Sequence, residues 1–222
     1  LKQLKDAAQE RGLVDCVMTF EQHPKEFFSP EQAPPRILNL RDKLAAFADI
    51  GIDRVVVEHF NSAFARLTPE EFVSEIIVKQ LNAKWILIGD DFCYGAKRAG
   101  NFASLKAAGE QFGFEVSSIH TVQEDGERIS SSALRDALAN GDMDQATKLL
   151  GRPYGISGHV IHGQKLGRTL GFPTLNLAVA NHLHHRKPAC SGIFTAQVIG
   201  LSEKPLPAVA SLGVRPTVED KG

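Results

Sequence analysis

Apolar residues recur in two rhythms along the first 150 positions. Where they return every third or fourth residue, the spacing predicts helices. Leu1, Leu4 and Ala8 share one face of an opening helix whose other face is charged, and Leu40, Leu44, Phe47 and Ala48 mark a second that stops at Gly51. Thr68-Pro69-Glu70-Glu71 reads as a capping box with proline at the first helical position, and the helix it starts turns Phe72, Ile76 and Leu81 inward. Further helices are expected at 102–112, 132–139 and 142–150, the last stopped by Gly151. Between them lie short apolar runs of strand length at 14–20, 54–57, 85–88 and 115–120. Strands alternating with helices imply an α/β domain with a mainly parallel sheet. Ligands of such sheets sit beyond the carboxyl ends of the strands, here 20–24 and 89–95.

The rhythm changes near residue 150. Short β-branched runs at 156–161, 174–177, 193–199 and 208–212 are separated by Gly and Pro, which predicts a small antiparallel β-barrel. Composition shifts at the same place. Residues 151–222 hold eight Lys/Arg against three Asp/Glu, a charge of +5, so the first 150 carry −6. Ten of the 19 glycines lie in this last part. The boundary is therefore placed at Gly151-Arg152-Pro153, giving domains 1–150 and 151–222.

Composition narrows the class. With 222 residues, 43% hydrophobic and 23% charged, the chain reads as an ordinary globular protein rather than a coiled coil or a disordered tail. Three widely spaced cysteines (Cys16, Cys93, Cys190) argue for a reducing compartment and against a disulfide scaffold or zinc site. No run approaches the ~18 apolar residues of a membrane span, and the net charge of −1 gives no basic field for nucleic acid. The expectation is a cytoplasmic protein working on small molecules, with self-association left open. The chain opens on Leu1 in mid-helix and closes on a polar segment, which suggests a fragment of a longer chain.

Several stretches could carry chemistry. Ser130-Ser131-Ser132 enters a helix with Arg135 one turn on; hydroxyls, free backbone N–H groups and a guanidinium could hold a phosphate, or the serines could supply a plain helix cap. Gly89-Asp90-Asp91-Phe92-Cys93-Tyr94-Gly95 follows a strand, and its acids could hold a metal, a ribose or an amine, or merely make a solvated turn. His23, also at a strand end, reads as structural. Gly163, Gly167 and Gly171 recur every four residues around Lys165 and Arg168, as in a cationic loop wrapping phosphates. Thr174 and Asn176 follow at alternate positions, so a hydroxyl and an amide oxygen could ligate Mg²⁺ beside phosphate oxygens. A glycine-rich barrel turn explains the same residues equally well. His182, His184 and His185 sit beside Arg186 and Lys187, which would repel a cation.

Taken in order, these stretches resemble the bifunctional FAD synthetases of bacteria, riboflavin kinase joined to FMN adenylyltransferase. The resemblance runs through Thr19-Phe20 with His23-Pro24, the segment 89–95 with Arg98 and Gly100, and Ile129 to Arg135. It continues through Leu150-Gly151-Arg152-Pro153-Tyr154, Gly167-Arg168, Gly171-Phe172-Pro173-Thr174 with Asn176, and Gly213-Val214-Arg215-Pro216-Thr217. It implies a Rossmann-like nucleotidyltransferase domain followed by a six-stranded riboflavin kinase barrel. It implies ATP-dependent phosphorylation of riboflavin in the barrel and adenylylation of FMN in the first domain, with Mg²⁺ as cofactor. Arg135, Ser131 and Asn176 would be catalytic. Asp91, Ser130, Ser131, Arg135, Gly163, Gly167, Arg168 and Gly171 would bind ATP or its phosphates. Pro24, Phe28 and Tyr94 would hold the flavin, and Thr174 and Asn176 the metal. Gln22 stands where the family usually has Pro, and Ser132 where it usually has Thr. The family's His-x-Gly-His motif would precede Leu1 and the kinase's catalytic Glu would follow Gly222. Two other readings compete: a kinase with a degenerate first domain, and a non-catalytic flavin- or nucleotide-binding module.

Overall fold

The computed structural model describes residues 1–21, 23–89, 91–119, 123–124, 127–162, 171, 174–178 and 188–213. The chain divides into two compact units, Leu1–Ala33 with Leu44–Val122, and Pro34–Lys43 with Gln123–Gly222.

The first unit opens with helix α1 (Lys2–Arg11), ended by Gly12 in the left-handed conformation at φ 63°. Strand β1 (Cys16–Phe20), helix α2 (Pro24–Phe28), helix α3 (Leu40–Ile50) and strand β2 (Arg54–Glu58) come next along the chain. β1 and β2 pair in parallel from Cys16↔Arg54 to Phe20↔Glu58. The buried Asp15 carboxylate fixes the start of this pair by accepting from the Asp53 N–H at 2.8 Å.

The capping box at Thr68 forms as the sequence predicts. Thr68 Oγ1 accepts from Glu71 N at 3.1 Å, and Glu71 Oε2 accepts from Thr68 N at 2.8 Å. The helix it starts differs from expectation. Only α4 (Pro69–Glu71) is α-helical, and Phe72–Gln80 continues as a π-helix. Phe72, Val73, Ile76 and Ile77 are buried, and Leu81 is half-buried at its end.

Strand β3 (Trp85–Ile88), the short pair β4 (Cys93–Tyr94) and β5 (Gly100–Asn101), helix α5 (Phe102–Phe112) and strand β6 (Glu115–Ser118) complete the described core of this unit. β3 and β6 are parallel, Trp85↔Glu115 to Ile88↔Ser118, with α5 as the crossover. The parallel strands thus form two separately hydrogen-bonded pairs among the described residues. Phe72, Val73, Ile76, Ile77, Tyr94, Leu105 and Phe114 make the core beneath them.

In the second unit a short pair, β7 (Gln123–Glu124) and β8 (Glu127–Arg128), precedes helices α6 (Ser131–Ala139) and α7 (Met143–Leu150). Asp142 caps α7 through its Oδ1, accepting from Gln145 N at 2.9 Å, and Gly151 ends it at φ 68°. Beyond it lie strands β9 (His159–Ile161), β10 (Asn176–Ala178), β11 (Gly192–Val198) and β12 (Leu206–Leu212). The buried residues are Leu134, Ala137, Leu138, Ala146, Ala189 and Cys190, with Ile37, Tyr154, Phe194 and Leu212 packed against them.

The barrel expectation is corrected in part. β9 pairs with β10 and β11 with β12, both antiparallel, but these are two separate ladders and no closed barrel exists among the described residues. The strands are shorter than the apolar runs at 156–161 and 174–177 suggested, because only three residues of each find a ladder partner.

Candidate active sites

At the start of α6, Ser130 is extended (φ −143°, ψ 152°) and its Oγ accepts from Ala133 N at 3.2 Å. The serine run thus supplies the helix cap, at Ser130, with the helix starting one residue earlier than the 132 expected, and Ser131 and Ser132 are exposed on the first turn. Arg135 is half-buried, and its Nε donates to the Pro35 carbonyl at 3.0 Å while Nη1 donates to the Ser131 carbonyl at 3.2 Å. Of the five N–H donors of a guanidinium, those two are used. The remaining fork and the positive end of α6 make a cationic locus suited to a phosphate oxygen. Sequence reasoning missed the Pro35 contact, because nothing local to Arg135 signals a partner a hundred positions away.

The segment containing Pro35 is bound to the strand-rich part at several points. Asn39 Nδ2 donates to the Ser157 carbonyl at 2.9 Å, Ser157 N donates to Asp42 Oδ2 at 3.1 Å, and the Tyr154 hydroxyl donates to the Ile37 carbonyl at 3.1 Å. Burial pushes the Tyr154 phenol up to about 12, with Cys190 and Asp42 adding to the shift. Burial alone raises the Cys190 thiol, which makes it a packing residue rather than a nucleophile.

Asp91 is exposed in a turn closed by Phe92 N donating to the Gly89 carbonyl at 3.0 Å. Its neighbour Asp90 lies outside the described residues. A Cβ on Gly89 would come 3.1 Å from Asp91 Oδ1, so the glycine leaves room for that carboxylate.

Pro24, Phe28 and Tyr94 occupy different environments. Pro24 is half-buried at the first position of α2, whose cap is His23: Nδ1 accepts from Lys25 N at 3.1 Å, and Glu26 Oε2 accepts from His23 N at 3.0 Å. That makes His23 structural, as its sequence setting suggested. Phe28 is 64% exposed, whereas Tyr94 is 6% exposed with its hydroxyl 3.1 Å from Ser104 Oγ. Rings join the two ends. Phe28 meets Phe60 at 5.7 Å, Phe60 meets Phe64 at 5.6 Å, Phe64 meets Phe72 at 6.2 Å and Phe72 meets Tyr94 at 5.2 Å. Phe20 and Phe27 flank this series at Phe60, and Phe92 stacks on Tyr94 at 5.8 Å. The series was not foreseen, since its members come from separate elements with no common period. Its exposed end, at Phe28, presents an aromatic face to a planar ligand.

In the second unit Gly171 is left-handed (φ 78°) with open space where a Cβ would stand. Gly163, Gly167 and Arg168 lie outside the described residues, as do His182, His184 and His185. Thr174 is exposed just before β10, and Asn176, paired with Ile161, is half-buried at its first position. No cluster of three or more His, Cys, Asp or Glu side chains suited to a metal exists among the described residues. A hydroxyl and an amide are too few to hold a divalent cation alone. They suit one that arrives with phosphate oxygens and water. No helix among the described residues is long and apolar enough to cross a membrane.

Comparison with known proteins bears on both units. The sequence model of a family described as FAD synthetase matches residues 1–133, and that of riboflavin kinase matches residues 150–222. The chain is 44% identical over 218 residues to the bifunctional riboflavin kinase/FMN adenylyltransferase of Escherichia coli K12, covering 98% of this chain and 68% of that protein. The proteins of the same name from Haemophilus influenzae and Pseudomonas fluorescens are each 42% identical, over 98% and 100% of this chain and 70% of their own length. Among solved structures, a Streptococcus pneumoniae protein described as a macrolide-efflux protein superposes with a TM-score of 0.72 at 31% identity. That match covers 96% of this chain and 67% of that one.

Proposed function

The chain belongs to the FAD synthetase family of bifunctional riboflavin kinase/FMN adenylyltransferases, and from that premise we propose how its residues divide the work. The protein serves FAD biosynthesis: ATP phosphorylates riboflavin to FMN, and a second ATP adenylylates FMN to FAD with release of pyrophosphate. The observation that carries this is the tandem match, adenylyltransferase model on 1–133 and kinase model on 150–222 in one chain. We assign the two activities to domains 1–150 and 151–222 and the protein to the cytoplasm, with small molecules rather than nucleic acid or membrane as partners.

Both steps are displacements at phosphorus, so the protein acts mainly by positioning and by neutralising charge. In adenylylation, Ser131 and the unengaged N–H groups of Arg135 hold the ATP phosphates, and the Ser130 cap fixes the start of α6 beneath them. Asp91 lies against the nucleotide. Pro24 and Phe28 receive the isoalloxazine, and Tyr94, packed in the core, supports the aromatic series from behind. In phosphorylation, Thr174 and Asn176 supply oxygens to Mg²⁺ on ATP, while Gly163, Gly167, Arg168 and Gly171 cover the phosphates. A Mg²⁺ held there with ATP would supply positive charge against the phosphates.

The test is a reaction of the full-length protein with riboflavin, ATP and MgCl₂ resolved by chromatography. FMN followed by FAD is the expected outcome. No FMN overturns the reading, and FMN without FAD restricts it to the kinase.

A further inference from the structure

In the first unit two consecutive residues adopt a backbone conformation unfavourable to any residue with a Cβ: Lys97 has φ 56° and Arg98 has φ 57°. The turn is pinned on both sides. Gly95, at φ 72°, lies so close to Pro69 that a Cβ would come 2.7 Å from the proline nitrogen, and a Cβ on Gly100 would come 2.5 Å from the Tyr94 ring. Ala96 N donates to the Leu67 carbonyl at 2.7 Å, and Arg98 N and Ala99 N donate back to Gly95 and Ala96 at 3.1 and 3.2 Å. Both side chains are exposed, and among the described residues neither has a hydrogen-bond or ion-pair partner. Glycine would suit this geometry at both positions. Lys and Arg add strain to it and contribute only charge. A solvated connection would need neither the cations nor the clamps.

We propose that Lys97 and Arg98 form a phosphate-gripping turn of the adenylylation domain. It takes a phosphate group carried by one of that domain's substrates, FMN or ATP. The inference rests on the adenylyltransferase reading of residues 1–150. The Arg98 guanidinium offers a planar fork to two phosphate oxygens, and Lys97 adds a compact charge beside it. The strained backbone fixes the direction in which both leave the turn, so less freedom is lost when the anion arrives. The turn also connects β4 to β5, and β4 begins two residues beyond Asp91, which ties the anion's place to the nucleotide's.

The test uses Lys97→Gly and Arg98→Gly in the full-length protein, with Arg98→Lys as the charge-retaining variant. Asn82→Gly, at φ 46°, relaxes backbone away from the turn as a control. Both turn variants should melt above wild type, because glycine removes the strain. Their KM for FMN or for ATP in adenylylation should rise about tenfold or more, as expected for a lost charge-assisted bond. Arg98→Lys should keep much of the affinity, riboflavin phosphorylation should be unchanged, and Asn82→Gly should raise only the melting temperature. A KM effect confined to FMN assigns the flavin phosphate, and one confined to ATP assigns the nucleotide's. Pyrophosphate is the direct probe, and it should raise the melting temperature of wild type more than that of the variants. Unchanged KM for both substrates, with equal stabilisation by pyrophosphate, overturns the proposal. A wild type that makes no FAD defeats the adenylyltransferase reading instead, and the pyrophosphate shift still decides the role of the turn.

Discussion

The Arg135 guanidinium serves two masters, a backbone carbonyl at Pro35 and, by proposal, a phosphate. Arg135→Ala should therefore lower FAD formation roughly ten- to a hundredfold, the range of one charge-assisted bond. It should also lower the melting temperature, since the Pro35 and Ser131 bonds go with it. FMN formation by the folded fraction should hold steady, and an equal loss of it would contradict separate sites. Tyr154 gives a pH prediction. Its phenol is raised in the folded state to about 12 from an ordinary 10. Below pH 10 both states keep the proton. Between about 10 and 12 the unfolded chain releases it while the folded one holds it, so this contribution to stability falls as pH rises. Urea midpoints across that window should fall more steeply in wild type than in Tyr154→Phe. Roles were legible in the sequence where they are local: a cap within the serine run 130–132 was readable because the free N–H groups it serves lie within three positions, though only the structure singles out Ser130. Pro35 and Ile37 were not, because the partners of Arg135 and Tyr154 are set by the tertiary fold.

Helix α5 supplies a test whose sign separates two effects. Gly109 lies inside it, and glycine-to-alanine inside a helix ordinarily stabilises by about 1 kcal/mol. Here a Cβ would stand 2.3 Å from the Phe114 carbonyl oxygen and 3.2 Å from its ring. Gly109→Ala should destabilise, by about 1–3 kcal/mol as in overpacked cores, read as a shift of the urea midpoint. A stabilised variant would show that the α5 terminus yields. Elements whose ends carry chemical signals were readable in advance: the Thr68 box, Gly51 and Gly151 all fall where expected. The π-helix was not, because over nine residues its buried pairs Phe72-Val73 and Ile76-Ile77 fit an α period as well. The Phe28-to-Tyr94 ring series was hidden for a related reason. The rings come from separate elements, and only the fold strings them together.

At the scale of the molecule, composition located the change from helix-rich to strand-rich chain, whereas closure of a barrel cannot be read from short apolar runs. Two activities on one chain should be separable. Thr174 is exposed, so Thr174→Val should leave the melting temperature near wild type. If it supplies an oxygen to the metal, riboflavin phosphorylation should fall sharply while adenylylation of added FMN persists. Kinase activity at the wild-type rate would remove the ligand role. Trp85 then has a practical consequence. It is the single tryptophan of the chain, held in β3 with Arg11 4.8 Å over its ring and its Nε1 donating to Ser117 Oγ at 3.0 Å. All three residues belong to the first unit. Indole emission is thus a one-sided witness: it dims or shifts when that unit opens and stays silent about the strand-rich remainder. A denaturation curve followed by fluorescence alone would describe half a protein.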